Sequence, residues 1–150
     1  MSLSTLYQEL CHYSNMHELN TPLEKADLRR FEDDNGLVLP APLVELLSFF
    51  DGGEIFIPGT IVYGVNSSNR FKSIKEANSS TIRNNYRIPK SYLIFSCLNY
   101  GDFICVNLKD PHDVIQWDHE KDEEFCSWGS IEEWLSETIQ SYKDYEDGDQ

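Results

Sequence analysis

Two short apolar runs, Tyr92–Leu98 and Phe103–Leu108, stand four residues apart and constrain this chain more than any other feature. Each is apolar at consecutive positions, so each reads as a strand buried on both faces rather than one half exposed. Asn99-Tyr100-Gly101-Asp102 between them is turn chemistry. It is too short for a crossover, so the two strands pair antiparallel. Such a pair needs cover on both sides, and helices elsewhere in the chain must supply it.

Those helices are legible in the spacing. Leu3, Leu6, Tyr7 and Leu10 recur at helical intervals and predict a first helix. Thr21-Pro22-Leu23-Glu24 predicts the start of a second, with Thr21 and Glu24 as a capping box, Leu28 and Phe31 turned inward and Asn35-Gly36 as the stop. A third starts at Pro40-Ala41-Pro42, buries Leu43, Leu46, Leu47 and Phe50, and ends at Asp51-Gly52-Gly53. Residues 54–58 and 61–65 predict a hairpin about Pro58-Gly59. Ser73 and Glu76 form another capping box, opening a polar helix to about Asn84. Residues 113–117 predict one more strand after the Asp110-Pro111 turn. Ser130 and Glu133 cap a last helix, on which Ile131, Trp134, Leu135, Thr138, Ile139 and Tyr142 share a face; the polar tail 146–150 is expected to fray. The expected fold is α+β, a central, mostly antiparallel β-sheet flanked by helices, in a single domain spanning 1–150.

Charge narrows the function. The formal net charge is −14, which disfavours direct contact with nucleic acid or an anionic membrane. It is unevenly placed: residues 1–69 carry −7, residues 70–90 carry +5, and residues 102–150 carry −12. The +5 segment is too short and too poor in aromatics for a nucleic-acid site and is expected to solvate a helix or pair with acidic neighbours. Asp118, Glu120, Asp122, Glu123 and Glu124 crowd one short segment, where like charges repel unless a partner relieves them. The N-terminus has no basic, apolar leader pattern, and the four cysteines contain no C-x-x-C pair, so the expectation is a cytoplasmic protein with reduced thiols.

Catalytic and metal-binding patterns are weak. His12, His17, His112, His119, Cys11, Cys97, Cys105 and Cys126 lack the spacing of a zinc knuckle or a His-x-x-x-His turn, so no metal or cofactor is expected. Cys97 and Cys105 would face each other across their hairpin if its loop had three residues. No nucleophile elbow, H-E-x-x-H or phosphate loop occurs. The paired carboxylates at 118–124 leave a two-carboxylate hydrolase open as a third reading; it needs one desolvated acid beside an ionised one, and a run this polar reads as exposed. Tyr100 and Asp102 read both as a hairpin turn and as an aromatic beside an acid at a loop tip, a recognition anchor. Trp134 reads as core and Trp128 as a staple, while Trp117, ending a strand beside the acidic run, is the tryptophan expected to reach a binding face. The candidate protein-binding residues are thus Tyr100, Asp102, Trp117, Asp118, Glu120, Asp122, Glu123 and Glu124.

The ordered set Glu32…Leu39-Pro40…Leu46-Leu47…Phe50-Asp51-Gly52-Gly53, then Tyr63-Gly64, Ile88-Pro89, Gly101-Asp102, Val114…Trp117-Asp118-His119-Glu120 and Ser130…Trp134-Leu135 resembles the SUKH superfamily over about residues 20–140. Asp51 stands where that pattern usually has Asn, and Pro42 where an acid is frequent. The resemblance implies a non-enzymatic α+β domain without shared catalytic residues. It implies either an immunity protein that binds and neutralises a cognate secreted toxin, often a nuclease, or a cytoplasmic regulatory or scaffold protein of the fungal SMI/KNR type, acting in cell-wall synthesis. Joined to the acidity, it favours the first, with a basic nuclease as partner.

Overall fold

The computed structural model describes residues 1–68 and 70–148. In chain order the elements are α1 (Leu3–Cys11), a 3₁₀ turn (Ser14–Met16), β1 (Glu18–Leu19), α2 (Lys25–Asn35), α3 (Ala41–Phe49), β2 (Gly53–Ile55), β3 (Thr60–Val62), α4 (Ile74–Ala77), α5 (Ser80–Asn85), β4 (Tyr92–Leu98), β5 (Phe103–Asn107), β6 (Asp110–Asp118), β7 (Glu123–Trp128) and α6 (Ile131–Gly148). The seven strands form one antiparallel sheet in the order of the sequence. The fold is α+β, as the two apolar runs require.

β4 and β5 occupy the middle of the sheet and are covered on both faces. Ile104 and Gln116 face α6. Phe103 and Trp117, on the opposite side of the pleat, meet Tyr86 at the end of α5: the Tyr86 and Phe103 rings lie edge to face at 5.0 Å, and the Trp117 indole donates to the Tyr86 carbonyl at 2.7 Å. On the α6 side, α1, α3 and α6 pack on one another. Leu3, Leu6, Leu10, Leu43, Leu46, Leu47, Ile131, Trp134, Leu135 and Ile139 are buried there, and Trp134 meets Phe95 edge to face at 5.1 Å. Each fully buried side chain of this kind contributes about 1.5–3 kcal/mol.

Five expectations are corrected. Thr21 and Glu24 form no capping box. Residues 20–23 instead run extended beside α3, where Thr21 accepts from the Asp51 N–H and Leu23 donates to the Leu47 carbonyl, both at 2.9 Å; α2 starts only at Lys25, and Glu24 precedes it without a side-chain cap. The polar helix after Ser73 is two helices, because Asn78 leaves the helical path. Its side chain donates to the Ile94 carbonyl and accepts from the Ile94 N–H, at 2.8 and 2.9 Å, standing in for a strand neighbour where β3 does not reach. The acidic segment holds a strand, β7, which alternation did not reveal. Cys97 pairs with Phe103, and Cys105 with Ile94, because four residues join β4 to β5. α6 extends to Gly148, into the segment expected to fray; residues 149 and 150 lie outside the described residues.

The junction after α3 is held by close backbone packing. A Cβ on Gly53 would lie 2.3 Å from the Glu18 carbonyl oxygen, so only glycine lets β1 and β2 approach. Asp51, almost fully buried, accepts from the N–H groups of Val65 at 2.7 Å and Asn66 at 3.2 Å and from the Asn66 amide at 2.9 Å. Glu32 reaches back to accept from the Leu39 N–H at 2.8 Å, fixing the α2–α3 corner. Part of the basic segment is consumed in the same way: Arg70 pairs with Glu18 and, at 3.2 Å, with Glu54.

Candidate functional site

An antiparallel meander places alternate turns at one end. Here the β2–β3 turn (Phe56–Gly59), the β4–β5 turn (Asn99–Asp102) and the β6–β7 turn (His119–Asp122) lie together, as Thr60 against Leu98 and Phe103 against Trp117 require. The Asn99 amide reaches the Pro58 carbonyl at 3.4 Å. Gly101, at φ 107°, lies so close to the His119 ring that an added Cβ would be 2.9 Å from Nε2. Most of the candidate binding residues therefore converge, although the sequence scatters them over 25 positions.

They do not converge as equals. Tyr100 is 59% exposed at its turn tip, and Glu120, Glu123 and Glu124 are exposed. Asp122 is half buried and sits at φ 54°, a turn position. Asp118 builds the turn, its Oδ1 accepting from the Glu120 and Lys121 N–H groups at 2.9 and 3.1 Å. Two expectations are overturned. Trp117 is 8% exposed and bonded to Tyr86, because β6 turns it to the α5 face, so it is a core residue. Asp102 is 6% exposed: Gln116 donates to its Oδ2 at 2.8 Å, while the His119 N–H and Nδ1 meet its Oδ1 at 3.1 and 2.5 Å.

Asp102 is therefore a clamp between two turns. Desolvation pushes its carboxyl upward, but the hydrogen bonds from His119 and Gln116 outweigh this and hold it below the usual range. The same bond, aided by the nearby carboxylates, raises His119 above its ordinary value. Asp102, Asp118 and His119 bring ligand-type atoms within 4.8 Å of one another. Each residue already serves a hydrogen bond in the clamp, and none lines the cleft beside it.

That cleft was not anticipated from the sequence. Of about 620 Å³, it opens between the sheet end and the C-terminal half of α6, lined by Phe56, Ile57, Tyr100, Trp128, Tyr142 and Tyr145 among others. Phe56 stacks on Tyr142 at 4.1 Å, and Trp128 donates its indole N–H to Glu137. Ile57, Tyr100 and Tyr145 are 40%, 59% and 70% exposed, so much of its apolar surface meets solvent. The i, i+3, i+4 pattern that buries α6 also places Tyr142 and Tyr145 on its flank, but only the fold sets Trp128 and the β2–β3 turn opposite. Of the cysteines, Cys11 is exposed and Cys105 fully buried, its thiol pushed up to about 12 by burial; all four are free.

Among comparisons with known proteins, the model of the SMI1 / KNR4 family (SUKH-1) matches residues 22–137. No curated protein matches the chain. The matched span begins ahead of α2 and stops inside α6 at Glu137, so α1, Tyr142 and Tyr145 fall outside it.

Proposed function

The chain belongs to the SMI1 / KNR4 family (SUKH-1), and from that premise we propose that it is a non-enzymatic, cytoplasmic immunity protein that binds and neutralises a cognate toxin, a basic nuclease. The observation that carries this reading is the gathering of exposed Glu120, Glu123 and Glu124 with exposed Tyr100 at one end of the sheet. A nuclease must present a basic groove to phosphate, and an acidic face with an aromatic anchor is complementary to such a groove. The field of a −14 chain would draw that partner in, with association approaching about 10⁸–10⁹ M⁻¹s⁻¹ at low salt. Asp102 and Asp118 serve this reading indirectly, by holding the turns that carry the other acids.

The test co-expresses this chain with a candidate nuclease toxin domain, sought first in the neighbouring genes. Growth should be restored in its presence and lost in its absence; no protection would remove the immunity reading. The variant with Glu120→Lys, Glu123→Lys and Glu124→Lys leaves the clamp intact. It should associate at least about tenfold more slowly at low salt, with a flatter salt dependence. An unchanged rate and slope would remove the steering role.

A further inference from the structure

We propose that the cleft between α6 and the sheet end receives an arginine side chain of the partner protein, seated against the rings of Tyr100, Trp128, Tyr142 and Tyr145 with the Glu137 carboxylate as its counter-charge. The proposal rests on the protein-binding reading of this end of the sheet and names what that face grips.

Three observations point to a cation rather than an apolar group. The cleft walls are aromatic: Phe56 and Tyr142 are stacked at 4.1 Å, Trp128 stands opposite, and Tyr100 and Tyr145 project from the rim. Ring faces are the negative pole of an aromatic quadrupole, and a guanidinium stacks on them while its edge stays free to bond. The one charged residue of the lining is Glu137; no lysine or arginine of the described residues lines the cleft. Trp128 donates to Oε2 of Glu137, which fixes the carboxylate and leaves Oε1 to accept.

The surrounding field is negative as well. Tyr100 is held above its ordinary value first by desolvation, with Asp102 and Asp118 adding to the shift. Tyr142 behaves likewise, with Glu146 adding, and so does Cys126, the strand partner of Gln116, with Glu137, Glu124 and Asp102 adding. Desolvation, the larger cause in each case, opposes a charge of either sign; the contributions of Asp102, Asp118, Glu124, Glu137 and Glu146 are the part that favours a cation. The volume, about 620 Å³, is ample for one arginine side chain together with apolar residues that flank it.

The probe is capped arginine, N-acetyl-arginine N-methylamide, titrated into the full chain and followed by the Trp128 indole N–H resonance and by tryptophan fluorescence. Capped citrulline, the neutral isostere, and capped norleucine are the comparators. Arginine should move the Trp128 signal and bind roughly 2- to 30-fold more tightly than citrulline, the range of a cation–π contribution. Glu137→Gln should weaken arginine and leave norleucine unchanged, while Tyr145→Ala, also at an exposed position, should weaken arginine. Equal binding of arginine and citrulline, preference for norleucine, or no Trp128 response to arginine up to its solubility limit would overturn the proposal. A chain that protects cells yet ignores the probe loses this proposal alone; one that binds the probe yet fails to protect loses the immunity reading alone.

Discussion

Asp102 shows what one buried acid does when its partners face it from two turns. It is desolvated, yet it stays ionised because Gln116 and His119 donate to it. The linkage has a definite sign. His119 titrates above its ordinary 6.5, so its contribution to stability is complete below about pH 6.5 and is lost as pH rises through the raised folded value. Asp102 titrates below 3.8, so its contribution is present above about pH 3.8 and is lost as pH falls through the depressed folded value. Asp102→Asn should return His119 toward 6.5, read from the ring proton shifts against pH. A His119 midpoint unchanged by this substitution would mean that the clamp does not form.

At the scale of elements, two of the expected capping boxes make a controlled comparison. Ser73 accepts from the Glu76 N–H at 3.2 Å while Glu76 accepts from the Ser73 N–H at 2.9 Å, so both partners of that box are made. Thr21 and Glu24 have the same spacing and make neither bond, because residues 20–23 are committed to α3 and its exit. Ser73→Ala should therefore cost about 1 kcal/mol in urea unfolding, and Thr21→Ala less than about 0.5 kcal/mol. β7 is the opposite case, an element that local sequence hides. Its pairing with β6 slips between Gln116 and Trp117, which breaks the alternation that would mark it, and its edge position leaves Glu123, Glu124 and Phe125 exposed. Charged side chains on such an edge also discourage pairing with a second copy of the chain.

For the whole molecule, the dominant long-range effect is self-repulsion. A net charge of −14 gathers acids on β7, its turn and α6, while Arg70 is spent inside the fold on Glu18 and Glu54. Moderate salt should raise the melting temperature, since it screens the repulsion more than it weakens the few ion pairs. A melting temperature that falls between about 20 and 200 mM sodium chloride would show that the pairs outweigh the repulsion. The same field gives the molecule a polarity, with an acidic, aromatic end of the sheet.

The sequence by itself determined the central β4–β5 pair, the stripes of α1, α3 and α6, and the hairpin at Pro58-Gly59, because each is written locally: as an unbroken apolar run, as a period of 3.6 residues, or as turn chemistry. It also placed Tyr100 and the exposed glutamates in the candidate face. It misjudged Trp117 and Asp102, since a residue next to a charged turn can point either way and only strand register chooses. The aromatic cleft was beyond its reach for the same kind of reason. Trp128, Tyr142 and the Phe56 turn are far apart in the chain, and no local pattern records that the sheet and α6 bring them together.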